Sequence, residues 1–298
     1  MVIKPFKSQP KLPANYEQET WEKLETALRA VNSKVATHIS KEELYRAVED
    51  LCIHKFGGMV YENLQKECEK HIFQQVDSLC EQMQLSDHVA FLAHVDRVWQ
   101  EHCEQMNTVR NIFLYLDRSY ALQTPGVRSL WDLGLDLFRQ RLGQRRDVQH
   151  KVVVGLLAAV ESERHGIAID REVLGRLLRM LVALGLYGEQ FEIPFLADSR
   201  RFFKNEGQQM AQSALGDGGS GGAASASSSS SSGGGVSGAD SGSGLSGGDS
   251  GSGFGVDPAG FLLHVERRLV EAQDMVTRYL DVSTKAPLLQ VMDASADE

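Results

Sequence analysis

TVRNIFLYLDRSYALQ, residues 108–123, is the stretch on which the reading of this chain turns. At about 100° per residue Val109, Ile112, Phe113, Leu116 and Tyr120 fall on one stripe, so the spacing predicts a single helix packed against its own domain. Leu114, Ala121 and Leu122 point the other way. A helix with two apolar faces needs two neighbours, and the second is either more of this chain or another protein. Helical period alone does not separate internal burial from docking.

The segments upstream keep the same period. ISKEEL (39–44) has Ser40 and Glu43 at capping-box spacing, with Ile39 and Leu44 placed as a hydrophobic staple. It opens a second helix whose core stripe is Leu44, Ala47, Val48 and Leu51, and Gly57 and Gly58 end it. Tyr45, Arg46, Glu49 and Ile53 lie roughly opposite, so this helix also carries large side chains beyond its core stripe. Asn15 and Gln18 read as the cap of a first helix with Trp21, Leu24, Leu28 and Val31 on one face. A third helix over about 59–84 has Leu64, Cys68, Ile72, Val76 and Leu79, and a fourth carries Val89, Leu92, Val95, Val98 and Trp99. TPG (124–126) closes this first block. Residues 1–14, with prolines at 5, 10 and 13 and no helical period, are expected to form an extended tail.

Downstream, SLWDLGLDLFRQRL (129–142) again opens with capping-box spacing, Ser129 to Asp132. DVQHKVVVGLLAAVESERHG (147–166) contains a β-branched trio, but its length, its alanines and its Arg-His-Gly finish predict a buried helix. DREVLGRLLRMLVALG (170–185) places Leu174, Leu177, Leu178, Leu181 and Leu184 on one face, and 189–212 reads as another long helix. Residues 213–255 are almost entirely small and polar and bury too little apolar surface to offset ordering entropy, so this insertion is expected to be disordered. Helical pattern resumes with Asp257 as N-cap and Pro258 at the first helical position. A loop of ~40 residues costs only about 2 kcal/mol more in closure than a short one, so the insertion is compatible with a single packed block. The layout is two helical blocks, 15–125 and 126–282, followed by a short start of something further at 283–298.

Composition narrows the function classes. With 42% hydrophobic and 24% charged residues the chain has the makeup of a globular protein, and its net charge of −9 argues against binding nucleic acid or an anionic membrane. The longest apolar run, VVVGLLAAV (152–160), is far short of the ~20 residues of a membrane span. Cys52, Cys68, Cys80 and Cys103 sit in amphipathic patterns without a CxxC pair, which fits a reducing compartment. Chemistry is hard to assemble. Cys52 and His54 fall about 200° apart on a helix, so they make a poor zinc pair with Cys68 and His71. Paired Glu-x-x-His, HExxH and a short phosphate loop are all missing, no credible strand is present to carry a nucleophile turn of the G-x-S-x-G kind, and no cofactor is expected. A metalloenzyme is therefore the remote reading, and a helical tethering or trafficking subunit the nearer alternative.

KLPANYEQETWEKLETALRAV (11–31), EELYRAVEDLCIHK (42–55), NIFLYLDRSYALQ (111–123), SLWDLGLDLFRQRL (129–142) and LLAAVESERHGIAIDREVLGRLLRML (156–181) together resemble the N-terminal half of a cullin, of the cullin-4 class. The resemblance covers residues 3 to about 290 apart from the Ser/Gly insertion. It implies an all-α, elongated stack of five-helix cullin repeats, with 15–125 as the first, 126–282 as the second and 283–298 as the truncated start of a third. It implies a non-catalytic scaffold of a RING-type ubiquitin ligase, acting in ubiquitin-dependent protein catabolism in the nucleus and cytoplasm. In that family the second and fifth helices of the first repeat hold a substrate-receptor adaptor. For the cullin-4 class the adaptor is the damaged-DNA-binding protein with its three β-propellers, into which the segment before the first helix also inserts. Carried onto this sequence, the adaptor contacts are Tyr45, Glu49 and Ile53, then Leu114, Arg118, Ala121 and Leu122, and Ile3, Pro5 and Phe6 of the tail. The family's C-terminal half, which recruits the RING subunit and carries the lysine modified by Nedd8, has no counterpart in these residues, so a complete ligase is not expected from them alone.

Overall fold

The computed structural model describes residues 15–36, 39–81, 87–216 and 258–296, and every element in them is helical. In chain order these are α1 (Tyr16–Asn32), α2 (Lys41–Ile53), α3 (Gly57–Glu81), α4 (His88–Ile112), α5 (Leu114–Ser119), α6 (Leu130–Gln144), α7 (Arg146–Arg164), α8 (Arg171–Ala183), α9 (Ile193–Gly216), α10 (Pro258–Arg278) and α11 (Lys285–Ala296). A 3-10 turn, Ala121–Gln123, follows α5, and a π-helical turn, Tyr187–Glu192, leads into α9. Residues 1–14 lie outside the described residues, as does the Ser/Gly segment from 217 to 257 with Asp257. α9 runs on to Gly216, past the start expected for that segment.

Two sequence caps form as read. The Glu43 N–H donates to Ser40 Oγ at 3.1 Å and the Asp132 N–H to Ser129 Oγ at 3.1 Å. Asn15 does not cap α1 with its side chain, and Gln18 donates instead to Glu22 one turn on. The third helix begins earlier than expected, with Gly57 as its first residue rather than as the stop of α2. Val89 is 68% exposed, because it sits in the first turn of α4, beyond the reach of the core.

The largest revision concerns 108–123. Thr108–Ile112 is the last turn of α4, Phe113 breaks the helix at φ −95° and ψ 23°, and only Leu114–Ser119 is a separate α-helix. Phe113 is fully buried at the break, so packing of its ring replaces continuation of the ladder.

The contacts divide into two compact units. The first takes the chain up to Phe195 together with Arg278–Val282, and the second takes Leu196–Thr277 together with the residues from Ser283. Around residue 125 packing is continuous: α6 lies on α3 and α4, and α4 also carries α7 and α8. α4 is buried along most of its length, from Phe91 to Ile112, so within the first unit the helices before and after residue 125 pack on the same helix.

Charged pairs fix these crossings inside the first unit. Arg176 of α8 donates to both oxygens of the buried Asp96 on α4, at 2.8–3.1 Å. On α3, Asp77 accepts from Arg141 and Arg145, and the hydrogen bond from Arg141 holds its carboxyl below the usual carboxylate range. In the second unit, Arg268 of α10 pairs with Glu206 of α9 and Glu271 of its own helix. Fork-shaped Arg–carboxylate pairs of this kind fix an angle as well as a distance.

Candidate docking surface

The surface is built on α2. Its Ser40 cap sets where the helix starts, and burial of Leu44, Val48 and Leu51 sets which way it faces. The opposite side is left with Glu42, Arg46 and Ile53 exposed and Tyr45 and Glu49 half-buried. Glu42 and Arg46 pair across one turn at 2.6 Å, an exposed contact worth little by itself.

α5 packs directly beside α2. The Tyr45 and Tyr115 rings meet edge to face, centroids 6.3 Å apart at 87°. One to two turns along, the Cys52 thiol and the Ser119 side chain are neighbours; burial pushes that thiol up and Ser119 acts against it. These two contacts run in the same direction along both helices, so α2 and α5 lie side by side in parallel register.

Three side chains, Asp117, Tyr120 and Tyr61, hold α5 and the turn after it. Asp117, only 2% exposed, accepts the Leu130 N–H at 2.9 Å and lies 3.4 Å from Arg110 Nε. Tyr120 lies over the first residues of α3 and against the Tyr61 ring, centroids 6.0 Å apart. The Tyr61 hydroxyl donates to the Arg128 carbonyl at 3.0 Å. The 117–130 excursion is thereby fastened at its two ends and in the middle.

Asp117→Ala removes the acceptor of a buried helix-start N–H and is expected to cost about 2–3 kcal/mol of stability. Asp117→Asn keeps one acceptor oxygen and should cost about half as much. Urea unfolding of the two variants checks this; equal and near-zero costs would show that the clasp holds nothing.

Six of the ten residues expected to meet an adaptor come together here. Ile53 and Leu122 are 42% and 62% exposed, Arg118 is exposed, and Tyr45, Glu49 and Leu114 are half-buried on the same pair of helices. Ala121 does not belong with them. It is 1% exposed, because the break at Phe113 and the 3-10 turn after Tyr120 rotate it inward from where a straight helix would place it. Ile3, Pro5 and Phe6 lie outside the described residues. Tyr115 and Asp117 were not anticipated. Tyr115 shares α5 with Leu114 and could have been found once helix 2 and helix 5 were set side by side; nothing local marks Asp117, whose partner is thirteen residues on.

The zinc candidates do not converge. Cys68 is buried and its thiol is pushed up to about 12 by burial, His71 Nε2 is hydrogen-bonded to Gln105 Oε1 at 3.0 Å, and His54 Nδ1 lies 2.8 Å from the Asp50 carbonyl. Among the described residues no three His, Cys, Asp or Glu side chains are grouped to hold a metal ion, and no helix is long and apolar enough to cross a membrane.

Comparison with known proteins bears on this geometry. The family model of the cullin alpha solenoid domain matches residues 21–217. The chain is 37% identical to human cullin-4A over 298 aligned positions, covering 98% of this chain and 33% of that protein. It is 33% identical to cullin-4 of Dictyostelium discoideum, covering 98% of this chain and 31% of that protein. Cullin-3 of the same organism is 31% identical over 67% of this chain and 26% of its own length. The chain thus spans about a third of the length of the two cullin-4 relatives, and about a quarter of the cullin-3 is matched.

Proposed function

The chain belongs to the cullin family, and from that premise we propose that it is a non-catalytic scaffold segment of a cullin-4-type RING ubiquitin ligase. It holds a β-propeller adaptor of the damaged-DNA-binding-protein type on α2 and α5, in ubiquitin-dependent protein catabolism. The observation that carries this reading is the parallel seating of α2 and α5, with Tyr45, Ile53, Leu114 and Leu122 accessible above a fully buried layer of Leu44, Val48, Leu51 and Leu116.

Energetics support a partner there. Burying a large apolar side chain is worth about 1.5–3 kcal/mol, so four of them with Tyr115 supply an interface core of useful affinity. The helices are already ordered, which removes most of the conformational cost of binding. The tail residues Ile3, Pro5 and Phe6 add contact area in this reading.

Residues 15–125 and 126–282 correspond in this reading to two successive cullin repeats, and 283–298 to the start of a third. The RING subunit and Nedd8 are engaged through the remaining length of the longer relatives, not through these residues. The chain works in the nucleus and cytoplasm, where ligases of this class meet their substrates.

The test is direct binding. Isothermal titration of the chain with a purified β-propeller adaptor should give one-to-one association at micromolar or tighter Kd. Absence of binding at about 100 μM would remove the adaptor role.

A further inference from the structure

Gly57 and Gly58 open α3, yet neither has the positive φ that would require glycine; among the described residues the positive-φ glycines are Gly126, Gly166 and Gly185. Glycine is a poor helix former compared with alanine, so backbone conformation does not account for two of them in a helical first turn. What lies over them does. A Cβ on Gly57 would meet Tyr120 at Cδ2, Cγ and Cβ, 3.1–3.3 Å away, and a Cβ on Gly58 would meet the Tyr120 hydroxyl at 3.2 Å.

These two contacts differ in kind. Cβ and Cγ are the root of the Tyr120 side chain, so turning the ring about the Cβ–Cγ bond does not relieve a methyl at 57; the root of the side chain, and with it residue 120, has to give by a few tenths of an ångström. The hydroxyl is the far tip of the ring, so a methyl at 58 displaces only that tip. Tyr120 joins α5 to the 3-10 turn that presents Leu122, and its carbonyl accepts both the Gln123 and the Thr124 N–H, at 3.2 and 3.0 Å. Movement at 120 is passed to both sides.

We infer that Gly57 and Gly58 are positioning residues for the docking surface: a seat without side chains that receives Tyr120 and so fixes how far α5 and Leu122 stand out beside α2. This inference rests on the adaptor reading above. Gly57 is the stricter position, because its contacts are with atoms tied to the backbone.

A double-mutant cycle tests the seat in the full chain, read both as Kd for the purified β-propeller adaptor and as urea unfolding. Gly57→Ala is expected to weaken binding about tenfold in a chain that remains helical, and Tyr120→Phe should not restore it. Gly58→Ala is expected to weaken binding by about threefold, and Tyr120→Phe, itself within about twofold of the parent, should restore it by removing the clashing oxygen. Parental affinity in Gly57→Ala, or no rescue of Gly58→Ala, overturns the inference. Should Gly57→Ala not fold, the Gly58 and Tyr120 cycle decides alone. If the parent itself does not bind the adaptor, the adaptor reading fails, and the seat then stands or falls on whether the same pattern of rescue appears in the unfolding data.

Discussion

Leu114→Asp combined with Tyr45→Ala is expected to weaken adaptor binding by at least about 100-fold while the chain stays folded. The carboxylate would be driven into an apolar contact, where its desolvation is costly, and the loss of a central aromatic opens a void beside it. Each change should cost about 2 kcal/mol of binding free energy, and tenfold in Kd corresponds to about 1.4 kcal/mol. The cost to the fold is smaller. Leu114 is the first residue of α5 and half-exposed, and an acidic side chain in a first helical turn is favoured by the helix dipole. Tyr45→Ala gives up the edge contact with Tyr115, about 1 kcal/mol. Glu42→Gln, on the exposed rim, is the control and should change Kd by less than about threefold. A double variant that binds as tightly as that control would place the adaptor elsewhere.

The outcome at this surface shows which physical signals a sequence carries locally. Ser40 with Glu43 and Ser129 with Asp132 were legible because donor and acceptor lie three residues apart and need no tertiary partner. The core stripe of α3, from Leu64 to Leu79, was legible for the same reason: regular burial follows regular spacing. The break at Phe113 was not. Every residue from Thr108 to Gln123 tolerates a helix, so the cause is tertiary: a ring buried at 113 and an acceptor at 117 recruited by a helix start at 130. Ala121 was misassigned because the angle assigned to it assumed that no break intervened. The reading of Gly57 and Gly58 as a helix stop followed ordinary sequence logic, whereas their neighbour in space is Tyr120, more than sixty residues away. Local chemistry thus fixed the helices, and long-range packing fixed which of their side chains face out.

Between pH 6.5 and pH 4.5 the first unit is expected to lose stability steeply, and His102 is the main reason. Its side chain is 2% exposed and lies between the rings of Trp99 and Phe138, at centroid distances of 5.5 and 4.9 Å. Burial, aided by the nearby His71, pushes its pKa down to about 3, against about 6.5 for an unfolded chain. In that interval the unfolded state takes up a proton that the folded state refuses, so unfolding free energy rises with pH at about 1.4 kcal/mol per unit. The contribution is complete above pH 6.5 and declines as pH falls, by about 2–3 kcal/mol at pH 4.5. His71, also pushed down by burial, adds in the same direction and window. The carboxylate of Asp77 responds only at lower pH, since its pKa is held below the usual 3.8. His102→Gln keeps a neutral polar side chain of similar volume and removes the titration. Urea unfolding of parent and variant at pH 7, 6 and 5, followed by the fluorescence of Trp21, Trp99 and Trp131, all in the first unit, separates the cases. The variant should be less stable than the parent at pH 7 by about 1–2 kcal/mol and should draw level with it or overtake it near pH 5. Parallel stability curves at the three pH values would mean that protonation of His102 is not what the fold resists.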